Sequence, residues 1–401
     1  MAKMKTSIPA LVKSGIKSVL GGSGKIMGHM PRTACVFSDK NAQIFFGYYD
    51  VNPFSADDQL LLACRAPTAN ISPHIKHPDL EIGFYDLSVE NPKFKNFSST
   101  RSWNWQQGCR LQWVGEHVIY NTVYDDLFGA VIQNPRSGQT IKSFRRPIYS
   151  VCNVTKQALS LDFAKLHECR QGYGYSNLLP EPRPYIMLMN LDIGTEDIIF
   201  TLDTAQNFET HEDMKGAAHY FNHLSFSPHG KRFMVTHLWV TAQSKRRSRI
   251  LIMNLENKKF SCPDNSGRTS HYCWLDDDKA VIFNMQGGHR GQYILHDIEA
   301  GQSQILFSMT LGQDGHPSIT NDVMLTDTYP DLFGLQHLIA CDRHSGVCET
   351  VAKIHSPQGF SGEIRCDLHP RFNTAKSKIC IDAVQDGRRA MILLNWPKLK
   401  N

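Results

Sequence analysis

From about residue 36 to the C-terminus, apolar positions come in short alternating runs, the period of two that marks strands. Helical periodicity of any length is absent after residue 20. The stretch FNHLSFSPHGKRFMVTHL shows the unit: a polar opening, a large apolar residue, a tight turn and a second strand. The same plan is followed by YYDVNPFSADDQLLLACR, GCRLQWVGEHVIYNTV, SVCNVTKQALSLDF, SHYCWLDDDKAVIFNM, DGHPSITNDVMLTDTY and DLHPRFNTAKSKICIDA. Pieces such as LEIGFYDLS, SRILIMNLENKKF and GQYILHDIEAGQSQILF lie between them and read as outer hairpins.

The units begin about 40 to 70 residues apart, the spacing of four-stranded propeller blades with loop insertions. The pattern predicts an all-β chain: a single seven-bladed β-propeller of four-stranded antiparallel blades over residues 36–401. ACVFSD and AQIFFGYYD are expected to help close the ring with the last blade. A pair of β-sandwiches would share the strand pattern, but the seven-fold count argues against it.

Ahead of the repeats lies a basic arm, residues 1–35, expected to be partly helical or disordered. Its apolar residues follow helical spacing beside Lys3, Lys5, Lys13 and Lys17, but no continuous apolar stretch marks a signal peptide. Nor does any 18-residue apolar run exist, so no membrane-spanning helix is expected. Eleven cysteines without a C-x-x-C pair read as free thiols in a reducing compartment, which suggests a cytoplasmic protein. A net charge of +5 suits anionic ligands and is too small for a nucleic-acid footprint.

Aligning the seven units on Phe54, Trp113, Val154, Phe226, Trp274, Ile319 and Phe372, just before each turn, exposes the candidate chemistry. Three positions earlier stand Val51, Arg110, Val151, His223, His271, His316 and His369. Four consecutive units thus place histidine in one slot, and equivalent slots on neighbouring innermost strands meet at one end of a propeller channel. Converging imidazoles suggest a divalent metal. Asp367, two residues before His369, adds an oxygen ligand on the same strand face, leaving Zn, Mn and Ca all open. The alternative is that each histidine only ties neighbouring blades together.

Other polar groups fall near this mouth. Asn222 precedes His223, and His237 closes the strand after the turn. The insertion LSLDFAKLHECRQGYGYSN offers Arg170, Tyr173 and Tyr175 in a glycine-punctuated loop. Arg65, Arg110 and Arg365 open or close inner strands, and SKRRSR (Ser244 to Arg249) reads as a solvated cationic tip. Neither a dinucleotide fingerprint, nor a phosphate-binding loop, nor a G-x-S-x-G elbow is present.

GYYDVNPFS, ALSLDFAKL…RQGYGY, FNHLSFSPHGKRF, DGHPS…TDTYPD and RCDLHPRF together resemble the oligogalacturonate lyase-like propellers. That group is in turn similar to the propeller-type ulvan lyases. The resemblance implies β-elimination on a uronic-acid glycoside, and it carries individual residues with it. His271 and His369 match metal ligands of the oligogalacturonate lyases, while Asp367 stands where that pattern has another histidine. Its glutamine ligand has no match, and His316 is the candidate to complete the set. Asn222-His223 resembles the Asn-His pair of the ulvan-lyase type, which implies a carboxylate neutraliser and a base. His237 and Tyr175 compete for an acid or base role. Arg170 would hold a substrate carboxylate, with Tyr173, Arg110 and Arg65 as further substrate contacts.

The resulting expectation is a metal-assisted lyase acting on an anionic, uronate-containing oligosaccharide or polysaccharide. A non-catalytic glycan- or protein-binding propeller, an accessory protein of cell-surface polysaccharide metabolism, and a metal-dependent hydrolase or isomerase are the rivals.

Overall fold

The computed structural model describes residues 24–71, 78–176, 183–287, 290–307 and 312–396. Seven four-stranded antiparallel sheets follow one another as the blades of a propeller. Blades 1 to 6 span residues 43–100, 112–144, 150–201, 218–261, 269–306 and 318–355. Blade 7 takes three strands from residues 371–395 and its outermost strand, Cys35–Phe37, from the other end of the chain. That exchange closes the ring. Of the two early segments expected to do so, only ACVFSD does. Gln43–Phe45, within AQIFFGYYD, instead forms the innermost strand of blade 1.

In every blade the first strand lines the channel and each later strand lies farther out. Central strands are apolar on both faces because each blade is sandwiched between two others. Leu60–Ala66 and Arg232–Val240 are buried along almost their whole length. Outermost strands such as Lys95–Thr100 carry exposed polar residues, as edges must.

Polar ties link adjacent blades at one recurring position on the second strand. In blade 2, Asn121 accepts from the Ile148 N–H of blade 3 and donates to its carbonyl. In blade 7, Asp382 accepts from the N–H groups of Phe46 and Gly47, at the start of blade 1. Blade 6 uses Asp327, which accepts from the His369 N–H of blade 7.

Two sequence expectations need correction. Cys341 and Cys348, paired across Leu335–Asp342 and Cys348–His355, form a disulfide rather than free thiols. The cross-strand register sets them directly opposite, which no cysteine spacing reveals. In blade 3 the alignment is off by three residues. Val151 pairs with Ala158 beside the turn, and Val154 lies in the turn itself. The residue that matches the histidine slot there is Ile148, tied to Asn121 as His369 is tied to Asp327.

Of the N-terminal arm, residues 1–23 lie outside the described residues. Residues 24–27 form a helical turn, and His29 bridges to Lys353 of blade 6. Among the described residues no helix is long and apolar enough to cross a membrane.

Candidate catalytic and metal site

Two backbone devices build the site. The first is a bulge in the innermost strand. In blade 4, Asn222 faces Thr236 and Leu224 faces Val235, so His223 is an extra residue. It takes a left-handed conformation with φ of 48°, and its equivalents Arg110 and His369 do the same at 55° and 46°. A bulge re-aims one side chain out of the pleat. The left-handed turn recurs at those three slots, whereas His271 lies in a register shift between Thr269 and Tyr272 without it.

The second device is a detour. In blade 1, Phe45 pairs with Cys64 and Phe54 bridges Leu61, so residues 46–53 face only Leu62 and Ala63. The surplus chain enters the channel and places Tyr48 and Tyr49 under the histidines. Gly47 favours the detour, because its φ of 140° and a 2.7 Å approach of the Gln107 carbonyl to a Cβ there would strain any other residue.

All four slot histidines meet around these rings. Tyr48 stacks on His223 at 4.8 Å and 10° and meets His369 edge-on at 4.8 Å. His316 lies 4.3 Å from both His271 and His369, ring centre to ring centre, and His223 lies 6.3 Å from His271.

Three of the imidazoles are anchored in the same sense. His271 Nδ1 lies 3.0 Å from Asp314, His316 Nδ1 lies 2.8 Å from Asp327, and His369 Nδ1 lies 2.7 Å from the Gly47 carbonyl. These partners only accept, so each Nδ1 carries the proton. The Nε2 atoms of His316 and His369 are buried with no hydrogen-bond partner. Asp367 faces them, and one ligand atom from each of His316, Asp367 and His369 falls within 4.8 Å of the others. Orphaned Nε2 atoms, Nδ1–H groups tied to a carboxylate and to a backbone carbonyl, and a facing carboxylate are the donor set of an imidazole–carboxylate cation site. The residues therefore fit a divalent metal.

Electrostatics separate the histidines. Burial, with Arg170 adding repulsion, pushes the His223 pKa well below the usual imidazole value. Burial, His316 and Arg371 do the same to His369. His271 is lowered by burial, against the pull of Asp314. For His316 burial also opposes the charge, but Asp327 outweighs it and the pKa rises. A cation and a second proton would compete for the same His316 Nε2 lone pair.

His223 has its own network. Gln107 Nε2 donates to the Tyr149 hydroxyl at 2.6 Å, and that hydroxyl faces Asn222 Oδ1 at 3.4 Å and His223 Nδ1 at 3.1 Å. With its proton directed to Asn222, Tyr149 accepts from His223 Nδ1–H. Nε2 then carries the lone pair, which accepts from Asn222 Nδ2–H at 3.0 Å, with the Tyr48 hydroxyl 3.4 Å away. Asn222 therefore holds and orients His223 at that nitrogen.

Over this cluster lies the insertion after blade 3's second strand. The helix Phe163–Cys169, capped by Asp162, ends at Arg170. Arg170 covers the Tyr173 ring at 3.9 Å, and Tyr173 meets His223 edge-on at 5.5 Å. No carboxylate among the described residues pairs with Arg170. Arg365, by contrast, grips Asp367 with contacts of 2.6 and 2.7 Å.

The remaining sequence candidates fall elsewhere. His237 stands opposite Phe221 and is fully buried, bonded to His219 and Arg249 away from the four histidines. Tyr175 stacks on Phe163 in the core, its hydroxyl held by Asn121. Arg110 is buried in a two-pronged pair with Asp50, and Arg65 pairs with Asp39 and Glu81 farther out in blade 1. The cationic tip is also only partly solvated, since Arg249 is buried in a cage of the Ala205, Phe208 and Glu209 carbonyls. Tyr48, Tyr149, Asp314 and Asp327 are the site residues that sequence reasoning missed.

No protein-family model matches the sequence, and no curated protein matches it. Solved structures do resemble the fold. An oligogalacturonate lyase in complex with manganese superposes with a TM-score of 0.65 at 13% identity, over 92% of this chain and 96% of that one. The oligogalacturonate lyase of Vibrio parahaemolyticus gives 0.62 at 11% identity over the same shares. The tricorn protease gives 0.50 at 11%, covering 91% of this chain and 34% of its own. At such identities the likeness shows a shared fold.

Proposed function

We propose that the chain is a lyase that cleaves a uronate-containing oligosaccharide by β-elimination at the histidine-lined end of the channel. The observation that carries this reading is the convergence of four imidazoles from four consecutive blades beneath Arg170, a cation without a carboxylate partner among the described residues. Likeness in fold to two oligogalacturonate lyases, one of them binding manganese, supports it.

Abstraction of the C5 proton of a uronate places charge on the adjacent carboxylate, so that charge must be offset. Arg170 supplies a two-pronged donor for it. His316, Asp367 and His369 would hold a divalent cation, with His271 beside them, and a cation bound there would offset the same charge. His223 is the base: Tyr149 and Asn222 fix its tautomer, burial keeps Nε2 unprotonated at neutral pH, and the substrate C5–H takes the place of Asn222 Nδ2 at that lone pair. Burial raises the Tyr48 phenol well above its usual value, so it stays protonated and serves as the acid for the departing O4. One C–H and one C–O bond break, a C4–C5 double bond forms, and the proton lost to His223 is matched by the one Tyr48 donates.

Elimination produces a conjugated double bond. Incubation of the chain with Mn²⁺ and a panel of uronate oligosaccharides should therefore raise ultraviolet absorbance. No rise with any uronate, in the presence of Mn²⁺, Zn²⁺ or Ca²⁺, sinks the lyase reading.

A further inference from the structure

Asp327 combines a tie between blades with a grip on a candidate ligand, where its equivalent Asp382 makes the same kind of tie and grips Arg371. Like Asn121 and Asp382 it lies on a second strand, two residues beyond the partner of an inner-strand residue (Leu325 opposite Ser318, Ile119 opposite Gln112, Cys380 opposite Arg371). Like them it binds a backbone N–H of the next blade, here His369 at 3.0 Å. Unlike them it also accepts from the N–H of His316 at 2.8 Å and faces His316 Nδ1 with both oxygens, at 2.8 and 3.0 Å. The carboxylate is buried at 2% exposure. A single side chain therefore fixes the ring of one candidate ligand and the backbone of another, on two different blades.

We propose that Asp327 is the positioning residue of a divalent-cation site made by His316, Asp367 and His369, aligning both imidazole Nε2 atoms before a cation arrives. The inference rests on the metal part of the reading above and not on the lyase chemistry. Fixing the ring through Nδ1–H sets which nitrogen is free and where it points, and losing such a partner typically weakens metal binding 10–100-fold. The plain alternative is that Asp327 ties blade 6 to blade 7 and nothing more. Asn121 separates the two, because it shows that an amide suffices as a tie at this position.

Asp327→Asn should therefore fold while its grip on His316 is weakened. Mn²⁺ is titrated into the full-length chain and followed by loss of the free-ion electron paramagnetic resonance signal. The native chain should take up one Mn²⁺, and folded D327N should bind it 10–100-fold more weakly. Asn121→Ala, which removes the corresponding tie elsewhere in the ring, should lower stability and leave Mn²⁺ affinity unchanged. If D327N does not fold, Asp327→Glu, which keeps the charge and displaces it by one methylene, carries the same expectation. Native affinity in the folded Asp327 variant, an equal loss in N121A, or no Mn²⁺ uptake by the native chain overturns the proposal. A native chain that binds Mn²⁺ yet eliminates nothing overturns the lyase reading and leaves Asp327's role standing.

Discussion

At the scale of single residues, the sequence disclosed the slot and hid what surrounds it. His223, His271, His316 and His369 were legible because one residue type recurs at one distance from four turns. Asp314 and Asp327 were not, since a carboxylate that orients an imidazole from a neighbouring element has no fixed spacing to it. His237 and Tyr175 misled for the converse reason. They lie near His223 and Arg170 in sequence, yet strand alternation and the helix Phe163–Cys169 carry them into the core. The acid and base assigned here give a sharp test. Tyr48→Phe keeps the ring stacked on His223 and removes only the hydroxyl, and His223→Gln removes only the base. Each should lower kcat by on the order of 10²–10⁴-fold, the usual worth of general acid–base catalysis, without altering Mn²⁺ content. Stopped-flow absorbance and elemental analysis check the two halves. A fully active Y48F would return the acid role to another group.

At the scale of elements, periodicity found every blade but not the departures from regularity that make the site. A bulge adds one residue and reverses the alternation beyond it, but most inner strands are too short for the reversal to show in sequence, and at Arg110, His223 and His369 it costs a left-handed backbone. The blade 1 detour is longer, yet it opens on the aromatic run Phe46, Tyr48 and Tyr49, which reads as more strand. Gly47 is the element's weak point. An alanine there would carry unfavourable φ and press a methyl group on the Gln107 carbonyl. Gly47→Ala should destabilise the fold by about 1–3 kcal/mol, the cost of a strained backbone conformation, and should displace Tyr48 as well. Denaturant midpoints measure the first effect. Loss of activity at temperatures where the variant remains folded measures the second, and an unchanged midpoint would show that the loop absorbs the methyl by moving.

At the scale of the whole molecule, the ring concentrates titratable groups that must stay neutral to remain buried. Burial lowers the pKa of His223, His237, His271 and His369, with His237 at about 2. Such a group binds no proton in the folded chain until the pH reaches its depressed value. In the unfolded chain it binds one below about 6.5. The unfolded state therefore gains protons first, and stability falls as pH drops below 6.5. His316 acts in the opposite sense, since its raised pKa adds stability below 6.5 that is lost as the pH rises through the folded value. The depressed imidazoles, which also include His219 and His296, outnumber the one raised and leave the acid-labile trend in command. Asp314 and Asp327, both depressed, extend it, because their contribution is present above about 3.8 and lost as the pH falls through their folded values. Each histidine held neutral contributes a slope of about 1.4 kcal/mol per pH unit well below 6.5. The unfolding temperature measured in EDTA should fall steadily from pH 7 to pH 5. His237→Asn, with an amide to accept from Arg249 and donate to His219, should flatten that fall by one histidine's share. An unfolding temperature that is level or rises over this range would mean that the buried imidazoles take up protons inside the fold, and would remove the electrostatic ground for a neutral base at His223.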